Sequence, residues 1–124
     1  MIVVDSSVWI DHLRRAEAQL SAELEAGRVL CHPFVAGELA CGHLRRREQV
    51  LSELALLPEA PAATHAEALA FLQRHALHGR GIGWIDAHLL TSTALARPAK
   101  LWTHDKRLAA VAAELHLDFD PTVR

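Results

Sequence analysis

The chain opens on a short unbroken apolar run, Ile2-Val3-Val4, that ends on Asp5. A continuous run of this kind, rich in β-branched residues, predicts a strand buried on both faces. Behind it, Val8, Trp9, Ile10 and Leu13 give the next segment an apolar side. Ser6 or Ser7 would cap that helix, which runs to about Arg14. The two rhythms then repeat. Residues 16–26 predict a second helix closed by Gly27, and 29–31 a second strand. Pro33 suits the first turn of a helix reaching about Leu44. Residues 46–57 predict another helix, stopped by Pro58. Residues 59–64, with Pro61, predict a loop or a poor edge strand. Thr64 caps a helix to about His78, Gly79, Gly81 and Gly83 mark a flexible turn, and 84–96 are helical. A third strand follows at 100–102. Asp105 opens a helix to Leu115, and 117–119 predict a last strand.

Strands alternating with helices predict an α/β domain with a mostly parallel sheet. Right-handed crossovers then place helices on both faces. No repeat, low-complexity tract or linker interrupts the pattern, so residues 1–124 read as one domain. A composition of 51% hydrophobic and 23% charged residues is that of a globular domain. The longest apolar run, Leu108 to Ala113, is far below the roughly 20 residues that span a bilayer. No basic-plus-apolar leader precedes Ile2, so a cytoplasmic protein without membrane attachment is expected. Cys31 and Cys41 form no CxxC and sit among apolar neighbours, which predicts buried reduced thiols. The net charge of −2 lacks the strongly basic footprint of many nucleic-acid binders. That sum hides local clusters: Arg14-Arg15, Arg45-Arg46-Arg47 and Lys106-Arg107. Each fits an ordinary solvated helix face, and each also fits a basic rim around an acidic centre, placed to contact phosphates.

The candidate chemistry lies in four carboxylates. In parallel α/β folds, ligands bind beyond the carboxyl ends of the strands. Asp5 ends the first strand. Asp105 follows the third after Thr103-His104. Glu38, in PFVAGELACG, borders the apolar stripe of its helix and reads as half-buried, a position in which a glutamate needs a partner. Asp86, in GIGWIDAHLL, lies in the first turns of a helix. Each acid has a structural reading as a cap or a dipole partner. Together they would repel one another and raise each other's pKa if they converge. A divalent cation resolves that conflict. Mg²⁺ and Mn²⁺ prefer carboxylate oxygens, lower the pKa of bound water and clamp phosphate oxygens, which is the chemistry of phosphodiester hydrolysis. His75 and His78 are three apart, but no Cys or His pair elsewhere completes a zinc tetrahedron with them.

These segments together resemble a known family. DSSVWID after the first strand, PFVAGELACG, GWIDAHLL and LWTHDKRL, in this order, are similar to the PIN-domain ribonucleases and, among them, to the VapC toxins of toxin–antitoxin pairs. The resemblance spans nearly the whole chain. It implies a three-layer α/β/α PIN-like domain and an endoribonuclease using one or two Mg²⁺ or Mn²⁺ ions. It also implies an RNA substrate, a cognate antitoxin that inhibits the enzyme, and a homodimer. The family's acidic quartet falls on Asp5, Glu38, Asp86 and Asp105. Ser7 and Thr103 match hydroxyls that support the carboxylates. Leu108 departs from the family, whose members often carry an aromatic there; the change touches packing rather than chemistry. Two other classes share parts of the pattern. A phospho-acceptor receiver domain also gathers acids at strand ends, but it needs an acidic pair after the first strand, where this chain has Asp5 alone. A non-catalytic binding module would tolerate the loss of Asp5.

Overall fold

The computed structural model describes residues 1–121, so the last three residues of the expected domain lie outside the described residues. Three strands, β1 (Ile2–Val4), β2 (Val29–Leu30) and β3 (Lys100–Trp102), form one sheet in the order β2-β1-β3, with both pairings parallel. Ile2 stands opposite Val29 on one side and Lys100 on the other. Val3 and Val4 point to opposite faces of the sheet, and both are wholly buried. Both faces of the central strand are therefore covered, as an apolar run without alternation requires. The Asp5 N–H continues the ladder by donating to Trp102 O at 2.9 Å.

Seven helices accompany the sheet among the described residues: α1 (Ser6–Arg14), α2 (Ala18–Glu25), α3 (Pro33–Cys41), α4 (Arg47–Ala55), α5 (His65–Arg74), α6 (Trp84–Leu95) and α7 (Lys106–Glu114). Helix α6 is buried on every side from Ala87 to Thr93. Its hydroxyls need partners there. Thr91 and Thr93 donate to the carbonyls of Ala87 and Leu89, both at 2.7 Å, and Ser92 donates to Pro61 O. This helix runs through the core and holds Asp86 at its start. Full burial of side chains such as Leu89, Leu90, Leu101 and Leu108 stabilises the fold by roughly 1.5–3 kcal/mol each. The buried Glu23 receives Arg28 Nε at 2.6 Å and Gln19 Nε2 at 3.0 Å, which fastens α2 to the start of β2. Among the described residues no helix is long and apolar enough to cross a membrane.

Several boundaries differ from the sequence reading, each for a local reason. Asp5, rather than Ser6 or Ser7, is the N-cap of α1 and accepts the Ser6 N–H at 2.8 Å. Helix α3 stops at Cys41 because Gly42 is extended. Cys41 is then exposed at a helix end instead of buried, while Cys31 is buried; both thiols are free. Helix α5 stops at Arg74, and Ala76 adopts a left-handed φ of 51° that a helix cannot absorb. The weak edge at 59–64 and the last strand at 117–119 shrink to single bridges, Cys31 with Glu59 and Leu101 with Asp118.

Candidate active site at the carboxyl end of the sheet

Asp5 and Thr103 leave adjacent parallel strands, which brings them side by side. The Thr103 hydroxyl donates to Asp5 Oδ2 at 2.7 Å, and the Ser7 hydroxyl donates to the same oxygen at 2.7 Å. The two hydroxyls stand 3.3 Å apart. With the Ser6 N–H and hydroxyl on Oδ1, this buried carboxylate is held by donors from three residues. Among the described residues it has no cationic partner. Glu38 reaches the same place from α3, where its Oε1 accepts the Ser6 hydroxyl at 3.2 Å. The cluster thus links β1, β3, α1 and α3.

Asp86 and Asp105 join through their fields rather than by direct contact. Asp86 Oδ2 accepts the Gly83 N–H at 3.0 Å in the first turn of α6. Asp105 caps α7, accepting the Arg107 and Leu108 N–H groups on Oδ1 at 2.9 and 3.0 Å. Loss of hydration raises the Glu38 carboxyl above its ordinary value. The Ser6 hydroxyl opposes this shift, and the charges of Asp5 and Asp86 add to it. Asp86 is raised in the same way: burial leads, the Gly83 N–H opposes it, and Asp5 and Asp105 reinforce it. Glu38 is exposed, contrary to the half-buried position expected, but it forms a wall of a cavity of about 590 Å³ that limits its hydration.

The donor set fits a hard divalent cation in kind. All four acids offer carboxylate oxygens, hydroxyls buttress Asp5 and Glu38, and among the described residues no thiolate or imidazole is bonded to any of the four, which favours Mg²⁺ or Mn²⁺ over zinc. The fields of Asp5 and Asp86 reach Glu38, and those of Asp5 and Asp105 reach Asp86. The arrangement is not a closed cage. Among the described residues, no three His, Cys, Asp or Glu side chains stand close enough to hold an ion as they are. Asp5, Asp86 and Asp105 each accept a backbone N–H from their own helix start, and Glu38 accepts the distant Ser6 hydroxyl, so the structural and chemical readings of these residues coexist.

The expected basic rim divides into separate pieces. Arg14 and Arg45 line the 590 Å³ cavity with Ile10, Leu13 and Leu44, on the side of Glu38. Arg15 is the C-cap of α1, and Arg46 precedes α4 in a left-handed conformation with φ 53°. Arg47 donates to Gly42 O at 3.4 Å. Lys106 begins α7, and the Arg107 side chain lies against Gly81. Two contacts went unforeseen. Ser6 links Asp5 to Glu38, although Ser7 is the better match to the supporting hydroxyl. His104 Nδ1 lies 2.6 Å from Asp11 Oδ2, and the His104 N–H donates to Ser7 Oγ at 3.0 Å. That pair ties α1 to the loop carrying Thr103. Its sequence signal was only the carboxylate at the end of DSSVWID.

Comparison with known proteins adds a family to this geometry. The chain matches the PIN domain over residues 2–114. Ribonuclease VapC32 from two Mycobacterium tuberculosis strains, CDC 1551 / Oshkosh and ATCC 25618 / H37Rv, is 51% identical over 114 residues, 92% of this chain and 92% of each relative. Among solved structures, FitAcB from Neisseria gonorrhoeae superposes with a TM-score of 0.63 at 17% identity, over 100% of both chains. At that identity the likeness speaks for the fold alone.

Proposed function

The chain belongs to the PIN-domain family, and from this we propose that it is a metal-dependent endoribonuclease that hydrolyses RNA phosphodiester bonds. In this reading residues 1–124 form a single nuclease domain, the VapC-like toxin of a toxin–antitoxin pair. A cognate antitoxin inhibits it, and it works as a cytoplasmic homodimer. The ribonuclease named among its relatives, 51% identical over nearly the full length, supports the activity. One observation supports the site: Ser6 joins Asp5 to Glu38 at the end of the sheet, the charges of Asp5 and Asp86 raise Glu38, and those of Asp5 and Asp105 raise Asp86.

Asp5, Glu38, Asp86 and Asp105 would hold one or two Mg²⁺ or Mn²⁺ ions. When bound, such an ion lowers the pKa of water and clamps phosphate oxygens. The chain's own part is orientation. Ser7 and Thr103 fix the position of Asp5 by donating to Oδ2. Ser6 sets Glu38 against Asp5, and the Gly83 N–H aims Asp86. No side-chain nucleophile is required. A receiver-type phospho-acceptor finds no support here, because Asp86 lies on a helix rather than at a strand end.

The test is direct. The protein, purified free of any partner, is incubated with RNA in Mg²⁺ or in EDTA, beside Asp5→Asn checked to be folded. Cleavage that needs the metal and disappears in the variant is expected. Metal-independent cleavage, or a fully active folded variant, would defeat the proposal.

A further inference from the structure

One of the seven basic candidates stands apart from the others. A Cβ placed on Gly81 would lie 2.7 Å from Arg107 Cδ, 2.9 Å from Nη1 and 3.1 Å from Nε. The Arg107 side chain therefore lies on bare backbone in the turn before α6. Two residues further on, the Gly83 N–H holds Asp86. At its other end, Arg107 donates its own N–H to Asp105. This side chain bridges the two segments that carry Asp86 and Asp105.

Its neighbour makes the contrast. Arg80 joins the same turn to α7 through Glu114 at 2.7 Å, so its charge is matched. Arg107 makes no ion pair among the described residues. An unpaired guanidinium seated on the turn that leads to Asp86, and carried by the helix that Asp105 caps, suits a phosphate, which it can bind through two parallel N–H donors. It also offsets the repulsion that clustered acids exert on a polyanion. Arg14 and Arg45 lie on the Glu38 side and leave the Asp86 side to Arg107.

Resting on the ribonuclease reading, we infer that Arg107 takes an RNA phosphate beside Asp86 and Asp105, and that Gly81 is a positioning residue whose missing side chain leaves the guanidinium its seat. With a φ of +80°, Gly81 also adopts a backbone conformation that L side chains rarely take.

The experiment is steady-state cleavage of a single-stranded RNA by the full chain with Mg²⁺ over a salt series, comparing wild type, Arg107→Ala, Arg107→Lys and Gly81→Ala. Arg107→Ala should raise KM about tenfold, the loss of one charge-assisted contact. The dependence of log KM on log salt should become shallower by about 0.7, as for one single-strand phosphate. Arg107→Lys should restore the salt dependence. Gly81→Ala should behave like Arg107→Ala although its arginine is intact. Unchanged KM and salt dependence in Arg107→Ala overturn the inference. So does a lysine variant no better than alanine, with a lowered melting temperature, because that marks a structural latch. If Gly81→Ala does not fold, the Arg107 pair decides alone. A wild type that cleaves no RNA defeats the ribonuclease reading itself, whereas cleavage with unaltered KM in Arg107→Ala defeats only the role of Arg107.

Discussion

Thr103→Val removes one hydroxyl and keeps the β-branched shape. In the native protein that hydroxyl donates to Asp5 Oδ2 at 2.7 Å and accepts the Asp105 N–H at 3.0 Å. The first bond matters more, because Asp5 is only 6% exposed and keeps only the donors of Ser6 and Ser7 once the Thr103 hydroxyl is gone. A hydrogen bond to a charged group contributes about 1.5–3 kcal/mol. The Asp105 N–H lies at an exposed residue, so water can replace its lost acceptor. The expected destabilisation is thus about 1.5–3 kcal/mol, which for a domain of this size lowers the melting temperature by about 5–15 °C. Cleavage should fall about 10- to 100-fold, the usual cost of removing a group that orients a metal-binding carboxylate. Thermal unfolding in EDTA reads the first effect and RNA cleavage in Mg²⁺ the second. A variant that melts within a degree of wild type and cleaves normally would refute the claim that Thr103 holds Asp5.

Two pH effects follow from burial. Glu38 is raised above its ordinary value in the fold, so the native state binds its proton more tightly than the unfolded chain. Metal-free wild type should therefore lose stability relative to Glu38→Gln as pH rises from the ordinary carboxylate range through the raised value; Mn²⁺ should remove that loss, and a flat difference would refute it. His32 runs the other way. It is wholly buried, and burial, with His88 nearby, lowers it to about 4. Relative to His32→Asn, which can still cap α3 as the His32 Nδ1 does for the Phe34 N–H at 2.9 Å, wild type should lose up to about 3 kcal/mol as pH falls from about 6.5 to about 4. Denaturant unfolding at a series of pH values checks this, and parallel curves would contradict it.

What could be read in the sequence was local or periodic. Ile2-Val3-Val4 announced the central strand because both its faces are buried. Thr64 announced α5 because it forms a capping box with Glu67, three residues away. Asp5 and Asp105 drew notice by their addresses after strands, Asp86 by its first helical turn and Glu38 by its place beside an apolar stripe. Distant pairings were not. Ser6 with Glu38, Arg107 with Gly81 and His104 with Asp11 join residues far apart in the chain, and no periodicity encodes which side chain meets which. The exposure of Cys41 also depends on where α3 ends, and Gly42 moved that end inward from Leu44. The final strand misled because alternation at 117–119 served a single bridge to Leu101.

If Asp5, Glu38, Asp86 and Asp105 share one cation site, the partner-free protein binds Mn²⁺ through them. Electron paramagnetic resonance of free Mn²⁺ measures this binding. Saturable binding by wild type is expected, strongly weakened in Asp5→Asn and in Asp86→Asn, with both variants folded. Equal Mn²⁺ binding by wild type and these variants would contradict it.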